Sequence, residues 1–268
     1  MKSIVSSALV CLGTASAALL LAAATAATAA PPPQEGQFGT IKGRLVWGGS
    51  EAPKPEVLIK QGDKEVKDAN VCAATTLYRQ DLVVDPQTKG VANGFAYIAR
   101  PKGSNPKAVS NLLAEKPKVE IDQKNCEYIP HSIAAHKDQT FVFKSSDPIG
   151  HNIHYTGFSN SKNFALVPNG QAEEKLVAEP RPIPLKCDIH PWMSGTIMVF
   201  DHTFFDVTDK DGSFEIKGVP AGKQNLIVWQ EKVGYVTPGA SRGMEVDVKP
   251  GQVTDVGTIV LDPAKVKK

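Results

Sequence analysis

Leu185-Lys186-Cys187-Asp188-Ile189-His190-Pro191-Trp192-Met193-Ser194-Gly195-Thr196-Ile197-Met198-Val199-Phe200 sets a thiol, an imidazole and a thioether three residues apart, then runs on as an apolar strand. The three are Cys187, His190 and Met193. Upstream, the segment Asp147–Tyr155, D-P-I-G-H-N-I-H-Y, supplies His151. Two imidazoles, one cysteine sulfur and one weak thioether make a donor set suited to a single electron-transfer copper ion. Soft sulfur favours Cu(I), and nitrogen keeps Cu(II) accessible. With three donors on one short loop, a metal can close that loop onto a strand bearing the fourth.

Outward from this loop, the signals are those of short strands and turns. Thr40, Lys42 and Arg44 alternate with Ile41, Gly43 and Leu45 before Gly48-Gly49. Val57–Ile59, Leu82–Val84 and Gly94–Ile98 follow, separated by runs rich in turn formers such as D-P-Q-T-K-G. Residues 108–116 alone have helical character. Thr140–Lys144 leads towards His151, and Thr196–Phe200 leaves the ligand loop. Pro182 and Pro184 cannot donate to a ladder, so the entry to Cys187 is expected at an edge or irregular. After Phe204, Asp211-Gly212 signals a hairpin and Pro220-Ala221-Gly222 another tight turn. The lysine-rich tail, 263–268, is expected to fray. The class is all-β, built as sandwiches.

Residues 1–30 carry Lys2, an alanine- and leucine-rich run and a small-residue end at Ala27-Thr28-Ala29, the pattern of a cleaved signal peptide. An uncleaved anchor is the alternative. Residues 31–37 read as a linker. The chain is therefore expected to be exported, periplasmic or extracellular, with no membrane span after cleavage. The formal charge is +2, and Lys2 is the one charged residue of the leader, so no nucleic-acid partner is indicated. Without Cys11, three cysteines remain in an oxidising compartment. If Cys187 is a metal thiolate, Cys72 and Cys126 are free to pair as a disulfide, or to stay as buried thiols. No C-x-x-C-H motif for attached haem and no paired C-x-x-C of a zinc ribbon occurs.

At its ligand segments the sequence resembles the cupredoxins, the small blue-copper proteins, with the amicyanin pattern closest. H-N-I-H-Y, C-D-I-H-P-W-M and the exit M-x-G-x-I-x-V carry the resemblance, over about residues 117–202. It implies a Greek-key sandwich holding one type 1 copper per chain through His151, Cys187, His190 and Met193. It also implies that Asn152 ties the two ligand loops together. Asp138 stands where that family commonly has a turn glycine, and Ser146 where it has an asparagine. Residues 203–262, with T-D-K-D-G-S-F-E-I-K-G-V-P-A-G, resemble a transthyretin-like or carboxypeptidase-regulatory-like sandwich, as does the start of 38–116. One expectation follows: the copper domain is inserted into a split sandwich.

His154 is the competing first imidazole, disfavoured because Asn152 follows His151. Met198 reads as strand packing, Trp229 and Tyr235 as core or sheet residues, and His131, His136 and His202 as surface residues. Pro191 and Trp192 flank the metal edge as a candidate docking patch, with His190 the electron exit if its edge reaches solvent. The expected function is single-electron carriage between transient redox protein partners rather than catalysis, since copper enzymes of this fold commonly add H-x-H centres and none is present. Zinc in a structural site of an envelope-binding protein is one rival, and copper trafficking another.

Overall fold

The computed structural model describes residues 37–267, so the leader, most of the linker and Lys268 lie outside the described residues. Residues 38–98 supply β1 (Phe38–Trp47), β2 (Val57–Ile59), helix α1 (Ala69–Cys72), β3 (Leu77–Tyr78), β4 (Val83–Val84), β5 (Val91–Ala92) and β6 (Phe95–Ile98). Next come α2 (Pro106–Glu115), β7 (Lys118–Lys124), β8 (Glu127–Ile129), β9 (Ser132–His136), β10 (Thr140–Ser145) and β11 (His151–Thr156). The middle of the chain ends with β12 (Ser161–Leu166), β13 (Gln171–Glu174), β14 (Ile183–Lys186) and β15 (Ser194–Phe200). Closing the chain are β16 (Phe205–Val207), β17 (Ser213–Pro220), β18 (Gly222–Gln230), β19 (Gly234–Tyr235), β20 (Met244–Val248) and β21 (Val253–Leu261).

In the outer sandwich, β1 pairs antiparallel with β17 and parallel with β21, and β6 lies between β16 and β18. Strands from both ends of the chain thus share each of its sheets, and β7–β15 are inserted between them. Those inserted strands form a second sandwich, with sheet orders β13-β10-β7-β8 and β12-β11-β14-β15-β9.

Side-chain alternation explains why the two sandwiches join. On β15, Ile197 and Val199 face the core of the inserted sandwich, while Met198 and Phe200 face a seam shared with Phe95, Tyr97 and Ile227. On β6, Ala96 and Ile98 turn the other way into the outer core. A strand buried on both faces needs a continuous apolar run, which F-A-Y-I and T-I-M-V-F provide. Phe200 stacks on Phe205 across this seam, with ring centroids 4.6 Å apart.

Four expectations need correction. Asp211-Gly212 makes a tight turn, with Gly212 at φ 81°, but not a hairpin: β16 pairs with β6 and β17 with β1. Turn chemistry is local, whereas the pairing partner is chosen by the other sheet. Strand β14 lies inside its sheet, between β11 and β15; its pairing to β11 stops at Leu185, so Pro184 needs no donor on that side. The tail is docked as far as Lys267, whose amide donates to the Lys232 carbonyl while Val266 packs on the outer core. His131 and His136 are buried, not superficial, and His131 Nε2 lies 2.7 Å from Glu231 of the outer sandwich. Both lie where two sandwiches meet, and one strand's periodicity cannot reveal a second layer.

His202 is likewise half-buried, stacked on Phe204 with its Nδ1 accepting that residue's amide at 3.1 Å. Burial pushes its pKa down to about 4. In the unfolded chain it titrates near its ordinary ~6.5, so the unfolded state takes up the proton first. The stability this group confers is complete above that pH and is lost as pH falls towards 4, by at most roughly 3 kcal/mol. Urea unfolding from pH 7 to 4.5 should show the decline. His202→Asn, which keeps an acceptor for the Phe204 amide, should flatten it, and an unchanged slope would exclude this residue.

Candidate metal centre

The two ligand segments meet because β11 and β14 are neighbours, with His154 opposite Lys186 and Tyr155 opposite Leu185. That register sets the start of β11 beside the end of β14, where Cys187 begins the loop. Two bonds close the loop: the Met193 amide to the His190 carbonyl (2.9 Å), and the Cys187 amide to the Met193 carbonyl (3.3 Å).

Three of the four expected donors converge. The Cys187 sulfur lies 3.9 Å from His151 Nδ1 and 3.7 Å from His190 Nδ1, and the two Nδ1 atoms are 3.0 Å apart. All three residues are buried, with His151 and His190 at 0% exposure and Cys187 at 1%. Met193 is buried in the same core. His154, on the alternate face of β11, instead bonds Asp188 at 2.9 Å.

Each imidazole has a carboxylate on its far nitrogen, which the sequence reading missed. His151 Nε2 donates to Asp147 (2.9 Å), and His190 Nε2 donates to Asp68 (2.9 Å). Asp147 is itself held by the amides of Asn125 and Cys126. A carboxylate can only accept, so each Nε2 carries a hydrogen and each Nδ1 is the nitrogen left to face the sulfur. Electron-rich atoms so close require a proton or a metal cation among them. In the metal-free protein, burial pushes the Cys187 thiol up, but bonds from His151, His190 and the Asn152 amide more than offset this, leaving it at about 6. Burial likewise lowers His151, and Asp147 and Cys187 outweigh it, holding the ring at about 9. A thiol drawn down beside a ring drawn up marks a place where one proton is shared between them, and a soft cation of suitable size can replace that proton. The residues fit copper.

Asn152 spans the loops. Its Oδ1 accepts the amides of Asp188 (2.7 Å) and Ile189 (3.3 Å), its Nδ2 reaches Asp188 and Asn163, and its own amide points at the Cys187 sulfur from 3.5 Å. Asn152→Ala should cost about 1–3 kcal/mol by orphaning the two amides. Metal affinity should fall on the order of 10–100-fold. Urea unfolding and competitive copper titration would check both, and wild-type values would remove the role. Ser146, the other departure in this region, bonds Asp122 through its amide and hydroxyl, and Asp138 keeps a negative φ.

Cys72 and Cys126 form a disulfide with Cα atoms 5.2 Å apart. Its sulfurs lie within 4.8 Å of a His190 nitrogen, and the Cys126 sulfur equally near a His151 nitrogen. The expected electron exit is corrected here: His190 has no solvent-facing edge, being fully buried with Asp68 on its Nε2 and the disulfide sulfurs close by. Pro191 is exposed, and Trp192 is half-buried with its ring centroid 5.3 Å from that of His190.

No protein-family profile and no curated protein sequence matches the chain. Among solved structures, an oxidized amicyanin mutant is similar over 31% of this chain and 83% of its own, at 15% identity and a TM-score of 0.29. A Cu(I) amicyanin mutant is similar over 32% and 88%, again at 15% and 0.29. A Cu-containing nitrite reductase from Thermus scotoductus SA-01 is similar over 31% and 22%, at 18% and 0.28. Each of these likenesses reaches about a third of the chain. Among the described residues, no helix is long and apolar enough to cross a membrane.

Proposed function

We propose that this chain is an exported mononuclear copper protein carrying single electrons between redox partners. His151, Cys187, His190 and Met193 would hold the ion, within a domain of residues 117–202 inserted into a transthyretin-like sandwich formed by 38–116 and 203–262. The observation carrying the reading is the convergence of one sulfur and two Nδ1 lone pairs, each ring fixed by a carboxylate. Bound copper would supply one-electron exchange between Cu(II) and Cu(I). The chain's own residues keep the donors in place in both states: the Asn152 bonds and the disulfide lock the loops, and the buried core excludes water. A disulfide beside the site accords with an oxidising compartment. Transient partners would dock over a small patch at Pro191 and Trp192, the indole bridging from His190 towards the surface.

The test is copper reconstitution of the mature protein. An intense visible thiolate-to-copper band, bleached by reductant and restored by oxidant, is expected. Tight zinc with no redox response would instead indicate a structural site in an envelope-binding protein. Rapid loss of copper to a chelator would indicate trafficking.

A further inference from the structure

Between β1 and β4 the chain leaves the outer sandwich and crosses to the candidate metal centre. Ile59, Cys72, Ala73 and Leu77 are buried in the same core as Cys187 and Met193, not in the core of the strands that flank them in sequence. The Cys72–Cys126 disulfide fastens this strap to the metal-side sandwich, and the Gly62 amide bonded to the Ala73 carbonyl (2.8 Å) closes its loop.

At the centre of the strap, Asp68 precedes α1 with φ 54°, ψ 40°, a left-handed conformation unfavourable for a residue with a Cβ. An aspartate here would ordinarily accept an amide of its own helix. This one makes no such cap and extends to His190, 122 residues away in sequence. Its side chain is 34% exposed while that of His190 is 0% exposed, so water reaches the carboxylate and stops there.

We propose that Asp68 is a positioning residue of the metal centre, and that the strap carrying it is the centre's fixed cover. The carboxylate keeps the His190 hydrogen on Nε2 and its Nδ1 towards Cys187, while the strap withholds the ring's outer edge from solvent and partners. This rests on the copper reading for its first half only, since the cover exists with or without metal.

The experiment has three arms. In metal-free wild type with the disulfide intact, the His190 Nε2–H signal should exchange slowly with solvent in proton NMR; exchange at the rate of a surface histidine overturns the cover. Asp68→Ala should speed alkylation of the Cys187 thiol by a small maleimide about 10–100-fold, the scale set by losing a bond to a charged group. Asp68→Asn, which retains an acceptor oxygen, should restore most of the protection. In copper-loaded protein, Asp68→Ala should shift the visible band and raise the potential, because an imidazole without its carboxylate is a weaker donor to Cu(II). Asp68→Asn should recover the band but not the potential. Unchanged labelling, band and potential in Asp68→Ala would overturn the proposal. A wild type that binds no copper would remove the electron-carrier reading and the positioning role, and leave the cover to the first two arms.

Discussion

Cys187→Ser should give a colourless protein that still folds. The substitution is nearly isosteric, and Cys187 sits buried where the Asn152 amide and two imidazoles can bond a hydroxyl as they do the sulfur. What it loses is the anion. A thiol held at about 6 is largely thiolate at neutral pH, whereas a serine hydroxyl stays protonated and is a hard, weak donor. Without a thiolate no sulfur-to-copper band can arise. Affinity for Cu(I) should fall by at least the ~10–100-fold seen on losing far weaker supporting contacts. Metal analysis, visible spectra and circular dichroism together decide the matter. A variant that keeps the band would place the sulfur ligand elsewhere, and one that fails to fold would show the contacts of the Cys187 sulfur to be structural.

The largest expected loss of stability comes from Cys72→Ala combined with Cys126→Ala. The bridge spans 54 residues. Constraining a loop of that length lowers the entropy of the unfolded chain by about 4 kcal/mol equivalent. Both cysteines are fully buried among Ile59, Leu77, Ile121 and Tyr128, so truncation also loosens packing. The double variant should therefore unfold at much lower urea, and wild type in strong reductant should approach it. A difference below about 1 kcal/mol would mean that the strap is secured by its apolar contacts and not by the bridge. Copper uptake by the same variant gives a second reading, because both sulfurs lie near His190 and that of Cys126 also near His151.

Much of the site was legible in the chain because ligand chemistry is written in short spacings. Cys187, His190 and Met193 occupy one loop, and Asn152 adjoins His151, so the geometry linking them is local or set by one strand pair. Asp147 could also have been read, four residues before His151 in the same segment. Asp68 could not: nothing in K-D-A-N-V-C distinguishes a carboxylate that turns away from its own helix towards a ring 122 residues on.

By itself the sequence determined the all-β class, the loop that sets Cys187, His190 and Met193 together, the convergence of His151 and His190 on Cys187, and the turn at Asp211-Gly212. Each depends on alternation, turn chemistry or donor type, which neighbours along the chain specify. Tertiary structure alone decided that β16 and β17 join different sheets, that His131, His136 and His202 lie in or against the packed seam, and that a strap from the N-terminal segment covers His190. Those outcomes depend on which apolar faces find each other across long loops. That choice is made by burial of area summed over whole sheets, and no short stretch of residues encodes it.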